Sequence, residues 1–468
     1  MTDSYYTDRA PSTTVRDVLA RQVYPRYSRY KDALSARRRL LRSHYEDGIR
    51  FRDQTTDWDA DRKVDWVLDR LRFAIRRAYL ETPYYREQFD RIGFDPRGNF
   101  GFKDFAKLPI LERGDVLEAG DRLTSEKISR EDLRKDSTGG SAGVPTRIWV
   151  GPEEHSWRES GSDWFGRRAG LIRGSRIAYL WGHHLDPTGQ TSLKDRVYFF
   201  LNNVEWFDCF RLDSATLDRY HERLEKYRPD CIIAYASALA ALAEHILDRG
   251  LTPHYPARCV LTGAEKLFPA QRAAAEAAFR RPVRERYGAR DVGLIGFQAA
   301  SPAYEVDWAN VFVEPEFVGG RASIIVTKLH ADGMPMIRYR IGDVGVFPSG
   351  ASPGHPTLSL QEVVGRELER IWLPDGSWVE GEFGPHMLKD YAVREYMVLQ
   401  RADYSVEVQI APRDGFSNED RLEIIRTLSR SLRGLKVSTT LVERVPRTPA
   451  NKLRPVVSEV NVDRGSAR

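Results

Sequence analysis

Between Arg176 and Phe279, short apolar runs alternate with helix-patterned stretches, and this alternation restricts the possible folds more than any other feature of the chain. Arg176-Ile-Ala-Tyr-Leu-Trp181, Asp230-Cys-Ile-Ile-Ala-Tyr235 and Arg258-Cys-Val-Leu-Thr262 each read as a buried strand. Ala215 to Tyr227 reads as an amphipathic helix that Asp213-Ser214 can cap. The Ala/Leu-rich stretch after Ser237 ends at Arg249-Gly250, where glycine suits a helix stop. Pro269 to Phe279 is a third helix. Parallel strands need crossover connections, so the expected class is α/β with a parallel sheet.

The flanks read differently. From about Val15 to Phe89 the pattern is helical, clearest over Asp61 to Ala78, and Thr82-Pro83 stops it. After Tyr287 the text becomes strand-rich. Ala322 to Leu329 and Met336 to Ile341 flank Ala331-Asp-Gly333, a turn signal between two extended runs. Tyr404 to Ile410 alternates as a strand, Asn418 to Leu432 is an amphipathic helix, and Lys436 to Val442 is another strand. A boundary near Val364-Gly365 therefore separates a large body, 1–364 with 1–90 mostly helical, from a small α+β unit, 365–468.

Composition excludes several classes. The 468 residues carry 72 basic and 67 acidic side chains, a net charge of +5 that is close to balance and offers no case for a nucleic-acid binder. Cys209, Cys231 and Cys259 are odd in number and far apart in sequence, which argues against a disulfide framework or a compact zinc cluster and suits a reducing cytoplasm. No apolar run is long enough to span a membrane, and no secretory pattern follows Met1 to Arg9.

Five constellations carry chemistry. Ser137-Thr-Gly-Gly-Ser-Ala-Gly-Val-Pro-Thr146 combines glycines, whose backbone can approach an anion closely, with hydroxyl donors; a plain surface turn has similar composition. Gly263-Ala-Glu265 puts a carboxylate at the end of a predicted strand, where open α/β sheets bind ligands; an acid favoured by the dipole of the next helix reads the same way. Arg286-Tyr-Gly-Ala-Arg-Asp291 offers a flat aromatic face beside glycine and hard oxygens for Mg²⁺, or a strand-to-turn junction with a packed tyrosine. Arg338-Tyr-Arg-Ile-Gly-Asp343 alternates two cations on one strand face and ends in a turn carboxylate suited to ribose hydroxyls, or is an exposed ladder. Gly365-Arg366 and the Pro-punctuated loop around Lys452 complete the set.

Their order and separations resemble the motif series of adenylate-forming enzymes, and in particular the phenylacetate–coenzyme A ligase family with its capsule-biosynthesis relatives, over roughly residues 60–460. The resemblance implies ATP and Mg²⁺ as cofactors and an AMP-forming carboxylate ligase of the acid–thiol type. Thr138, Gly139, Gly140, Ser141 and Gly143 would hold ATP phosphates. Glu265, Tyr287 and Gly288 would line the adenine side. Asp343 would bind ribose, Arg366 would lie near it, Asp291 would face the metal, and Lys452 would bridge carboxylate and α-phosphate. The acid would sit near Trp181-Gly-His-His184 and Tyr235-Ala-Ser237, with His183, Tyr235 and Ala236 as candidate contacts. The acceptor is coenzyme A, a carrier-protein thiol or an amine; the amine reading makes the chain an amide synthetase, and a non-catalytic binding homologue is the third reading. The chain departs from the family pattern at Ala142, Val144, Asp291, Asn451 and the hinge text Gly365-Arg-Glu-Leu-Glu-Arg370.

Overall fold

The structure, a computed structural model, describes residues 36–137, 147–181, 197, 199–209, 212–299, 301–318, 321–366, 370–375, 378–380, 391–446 and 456–460. The chain divides into two compact units, Met1–Gly365 and Arg366–Arg468.

The first unit opens with helices α1 (Ala36–Gln54), α2 (Ala60–Glu81) and α3 (Pro83–Ile92). Asp59 caps α2 by accepting from the Arg62 amide, and Val67, Leu71, Ile75 and Ala78 fall on one buried stripe. Removing a fully buried side chain such as Leu71 costs about 2–5 kcal/mol. Thr82 ends α2 extended, and Pro83 starts α3, where its missing N–H costs nothing. Strands β1 (Arg134–Ser137) and β2 (Arg147–Val150) then pair antiparallel, closing on the pair Ser137–Arg147. Helix α4 (Pro152–Arg168) follows.

The alternating region comes next: β3 (Ile177–Trp181), β4 (Val204–Asp208), α5 (Ser214–Tyr227), β5 (Cys231–Tyr235), α6 (Ala236–Asp248), β6 (Cys259–Gly263), α7 (Pro269–Phe279), β7 (Val283–Ala289), β8 (Gly293–Phe297) and β9 (Tyr304–Val306). A second strand group contains β10 (Val311–Val318), β11 (Arg321–Lys328), β12 (Tyr339–Val346), β13 (Ser359–Leu360) and β14 (Glu362–Arg366). The large sheet has the order β13-β9-β8-β7-β6-β5-β3-β4. Strands β4, β3, β5, β6 and β7 run parallel, and β8, β9 and β13 extend the sheet antiparallel.

Strand alternation explains how this sheet is covered on both faces. Ile232, Ala234 and Val260 point towards Leu217, Leu239, Leu242 and Phe279 of α5 to α7. Their neighbours Cys231, Ile233, Cys259 and Leu261 pack with Phe165 of α4. Cys231 and Cys259, distant in sequence, are register partners with Sγ atoms 2.7 Å apart, and all three cysteines are buried free thiols. The second sheet has the order β10-β11-β12-β14 and packs its apolar face on α2 and α3.

One strand expectation needs correction. The run after Ala331-Asp-Gly333 becomes a strand only at Tyr339 and then continues to Val346. Arg338 holds φ +52°, outside strand geometry, because its guanidinium turns inward to Glu314.

The second unit contains β15 (Arg370–Trp372), β16 (Trp378–Glu380), β17 (Val393–Gln400), β18 (Val406–Pro412), α8 (Asn418–Ser431), β19 (Val437–Leu441) and β20 (Val456–Ser458). Its four-stranded sheet has the order β19-β18-β17-β20, and Ile424, Leu428 and Leu432 seal one face. Ser417 and Asp420 form a reciprocal capping box on α8. Among the described residues, no helix is long and apolar enough to cross a membrane.

Candidate active site

The register of the parallel strands assembles the site from separate motifs. Tyr235 on β5 pairs with Gly263 on β6, and Gly263 pairs with Arg286 on β7. One row therefore joins three motifs at the carboxyl edge of the sheet, and Ala236, Glu265 and Tyr287 follow directly beyond it. Crossover connections leave this edge open as a crevice, the usual ligand position in an α/β sheet.

Tyr287 and Asp343 meet there. The Tyr287 hydroxyl donates to Asp343 Oδ2 at 2.8 Å, linking β7 to β12 across two sheets. The Tyr287 ring makes an edge contact with Tyr304, centroids 6.0 Å apart, and the Tyr304 hydroxyl donates to Glu285 at 2.8 Å. Gly288 is glycine for a steric reason. A bulge interrupts the β7–β8 register at Tyr287/Gly288, and a methyl on Gly288 would stand 2.5 Å from the Gly293 carbonyl oxygen.

Glu265 follows Ala264, which has φ +67°. Its Oε2 accepts the Ser237 amide at 2.9 Å, so it caps α6, the helix before β6, rather than the helix that follows. That contact unites the Gly263-Ala-Glu265 motif with Tyr235-Ala-Ser237. Glu265 Oε1 is buried without a hydrogen-bond partner, which leaves acceptor capacity at the edge. Burial, reinforced by the Glu265 charge, pushes the Tyr235 hydroxyl up to about 12, so it stays a neutral donor. The Tyr235 ring lies 4.1 Å from that of Trp181, and Ala236 is buried as the first residue of α6.

Asp291 sits in the β7–β8 turn, buried to 7% exposure, and its carboxylate takes no hydrogen bond from the described residues. No three His, Cys, Asp or Glu among the described residues come together as metal ligands. A Mg²⁺ ion carried by a nucleotide asks for only one or two protein carboxylates, the phosphates supplying the rest. Asp291 fits that demand.

The two arginines of the Arg338-Tyr-Arg motif have structural partners. Arg338 is 4% exposed and pairs through Nε and Nη2 with Glu314, at 3.0 and 3.1 Å; Glu314 is fully buried and also receives the Gly354 amide. Arg340 bonds Glu112 at 2.8 Å and reaches Glu316. Thr138, Gly139, Gly140, Ser141, Gly143, His183 and Lys452 lie outside the described residues, as does the side chain of Arg366. Arg366 ends β14, next to Gly365 with φ +144°.

Sequence reasoning missed Arg158 on α4, which hydrogen-bonds the Arg290 and Asp291 carbonyls at 3.1 and 2.7 Å. A lone arginine on a polar helix face carries no sequence signal for such a contact.

Comparison with known proteins fits this arrangement. No protein-family profile matches the chain. Protein CapK of Staphylococcus aureus is 21% identical over 368 residues, 76% of this chain and 80% of that protein. Phenylacetate-coenzyme A ligase of Thermus thermophilus is 22% identical over 438 residues, 83% of this chain and 95% of that one. The 2-hydroxyisobutyryl-CoA ligase solved in its postadenylation state with 2-HIB-AMP aligns at TM-score 0.65 and 17% identity, over 86% of this chain and 90% of that chain. The chain is similar in sequence to phenylacetate–coenzyme A ligases and shares the fold of the 2-hydroxyisobutyryl-CoA ligase. In this chain the Tyr287–Asp343 bond and the Glu265 cap are contributed by motifs spread over more than a hundred residues.

Proposed function

We propose that this chain activates a carboxylic acid with ATP and passes the acyl group to a thiol, coenzyme A being the favoured acceptor. In the first step a carboxylate oxygen bonds to the α-phosphorus of ATP and the bond to pyrophosphate breaks, giving acyl-AMP. In the second the acceptor sulfur bonds to the acyl carbon, AMP leaves with the bonding electrons, and the thiol proton is released. The single observation that carries the reading is the Tyr287–Asp343 hydrogen bond, which joins two motifs beside the capped start of α6.

Residues 1–364 act as the ATP- and acid-binding body, and residues 365–468 as the smaller unit that supplies Lys452. Asp343, held by Tyr287, binds the ribose hydroxyls. Tyr287 and Gly288 line the adenine side, where the tight β7–β8 approach admits no side chain at Gly288. Glu265 turns its spare oxygen to the adenine amino group. The acid rests near Tyr235, Ala236 and His183. The glycine-rich stretch Thr138, Gly139, Gly140, Ser141 and Gly143 donates amides and hydroxyls to the phosphates, and Arg366 lies near the ribose. Asp291 would hold Mg²⁺, which would supply positive potential beside the phosphates. Lys452 places a cation between two anions that would otherwise repel. The reaction is assigned to the cytoplasm, where ATP is at hand and the buried thiols stay reduced.

The test is acid-dependent exchange of labelled pyrophosphate into ATP over a panel of carboxylic acids, with coenzyme A and free amines compared as acceptors. Lys452→Ala is expected to lower exchange by about 10²–10³. Exchange that needs no acid, or that survives Lys452→Ala unchanged, rules out the mechanism.

A further inference from the structure

Outside the nucleotide contacts, one buried charge chain ends on the turn that carries Asp291. Lys328 on β11 is 3% exposed, and its Nζ bonds Glu154 Oε1 at 2.8 Å; Glu154 on α4 is 1% exposed. The same Oε1 receives Arg158 Nη2, one helical turn along. Arg158 then gives Nη1 to the Arg290 carbonyl and Nη2 to the Asp291 carbonyl. Gly293, on the far side of the turn with φ +86°, leaves room for this side chain, since a methyl there would stand 2.9 Å from Arg158 Cδ. Asp332 fixes the start of the same helix by accepting the Glu153 and Glu154 amides at 2.9 and 3.1 Å.

This construction is more than a stability device requires. A buried Lys–Glu pair is neutral without a second cation. Arg158 adds a planar fork that spans two successive carbonyls and fixes the peptide from which the Asp291 side chain projects. The Asp291 carboxylate itself is left without a hydrogen bond from the described residues. The turn is held while its acid keeps its hydrogen-bond acceptor capacity.

We infer that Arg158, braced by Glu154 and Lys328, is a positioning residue that presets Asp291 for the divalent cation accompanying ATP. The inference rests on the proposed ATP chemistry and adds to it a residue that belongs to none of the motifs. Arg158 gives its hydrogen bonds to Glu154 and to the Arg290 and Asp291 carbonyls. It acts through the backbone of Arg290 and Asp291, as outer groups do at many metal centres, where their loss typically weakens metal affinity by about 10–100-fold.

The experiment uses the full-length protein with a non-hydrolysable ATP analogue and Mn²⁺ as the probe, free and bound ion being counted by electron spin resonance. Arg158→Ala is expected to weaken Mn²⁺ binding about 10–100-fold while the thermal melt shows a folded protein. Arg158→Lys keeps the charge beside Glu154 but cannot span both carbonyls, so it should recover stability and not metal affinity. Added guanidinium should partly restore Mn²⁺ binding in the alanine variant. Unchanged Mn²⁺ affinity in both variants overturns the inference, and full recovery in Arg158→Lys overturns the role of the fork. If Arg158→Ala does not fold, the lysine variant alone decides. Wild-type protein that exchanges pyrophosphate while the variants keep their metal affinity leaves the ligase reading standing and removes only this one. Wild-type protein that takes up no Mn²⁺ removes the positioning role outright.

Discussion

Buried carboxylate oxygens occur both in the β10–β12 sheet and at the edge of the parallel sheet, where Glu265 itself is half-buried, yet they are satisfied very differently. Glu314 takes two nitrogens of Arg338 and the Gly354 amide, so its charge is fully matched. Glu265 uses one oxygen on the Ser237 amide and leaves the other without a partner, and Asp291 receives no hydrogen bond from the described residues. A buried acid with full partners holds a fold together; a buried oxygen with spare lone pairs keeps acceptor capacity that a ligand can use, although Glu154 Oε2 is equally unpartnered inside a structural brace. Identical chemistry is thus fully matched in one place and leaves acceptor capacity in the other, where we propose that ligands bind.

Substitutions can break that distinction. Arg338→Ala leaves the fully buried Glu314 charge uncompensated and is expected to destabilise the first unit by about 3–5 kcal/mol, measured by urea unfolding. A loss no greater than that of an exposed arginine would erase the contrast between the two regions.

Asp332 gives a pH test of the braced helix. Burial first, and the neighbouring Glu153 and Glu154 charges, raise its carboxyl from 3.8 to about 6, against the pull of the two amides it accepts; Arg70 and Arg77 also feel its charge. A raised carboxyl favours the protonated form in the fold. Its contribution is therefore full below pH 3.8 and is lost as pH rises towards about 6. The loss amounts to about 3 kcal/mol, and Asp332→Asn should remove this segment of the stability–pH curve. A curve of unchanged shape in that window would place the titration elsewhere.

Smaller effects sharpen the site side. Tyr287→Phe removes one hydrogen bond and should cost about 0.5–1.5 kcal/mol of stability, with a clear rise in the KM for ATP in pyrophosphate exchange. Glu265→Gln keeps an acceptor for the Ser237 amide and loses only the charge at the start of α6, about 0.3–1 kcal/mol. Its effect on discrimination between ATP and GTP should exceed its effect on the melt; the reverse outcome would make Glu265 a plain helix cap.

Much of the fold was legible because local chemistry and tertiary packing agree. Pro269–Phe279 is bounded by a proline start and a change of pattern, and the helix has those same ends. The three strands of the alternating region pair parallel, as their buried runs and the helices between them require. Legibility failed where a partner lies far along the chain. Arg338 and Arg340 look like alternating residues of one strand, but Glu314 draws Arg338 into a left-handed turn. Glu265 reads as a cap for the next helix, whereas the parallel register carries it to the helix before. Arg158 reaches carbonyls 132 and 133 positions away, and no window of text contains both ends. The proposed binding motifs were visible because each is a short local arrangement of glycines and polar residues; the groups that support them are not local.

The buried thiols have a practical consequence. Cys209, Cys231 and Cys259 all lie inside the large unit, two of them facing each other between adjacent strands. Maleimide dyes attack exposed thiolates, so the natural chain is nearly silent to them. A single cysteine placed at the exposed Leu441 of the small unit would then take the label alone, in a protein otherwise unaltered.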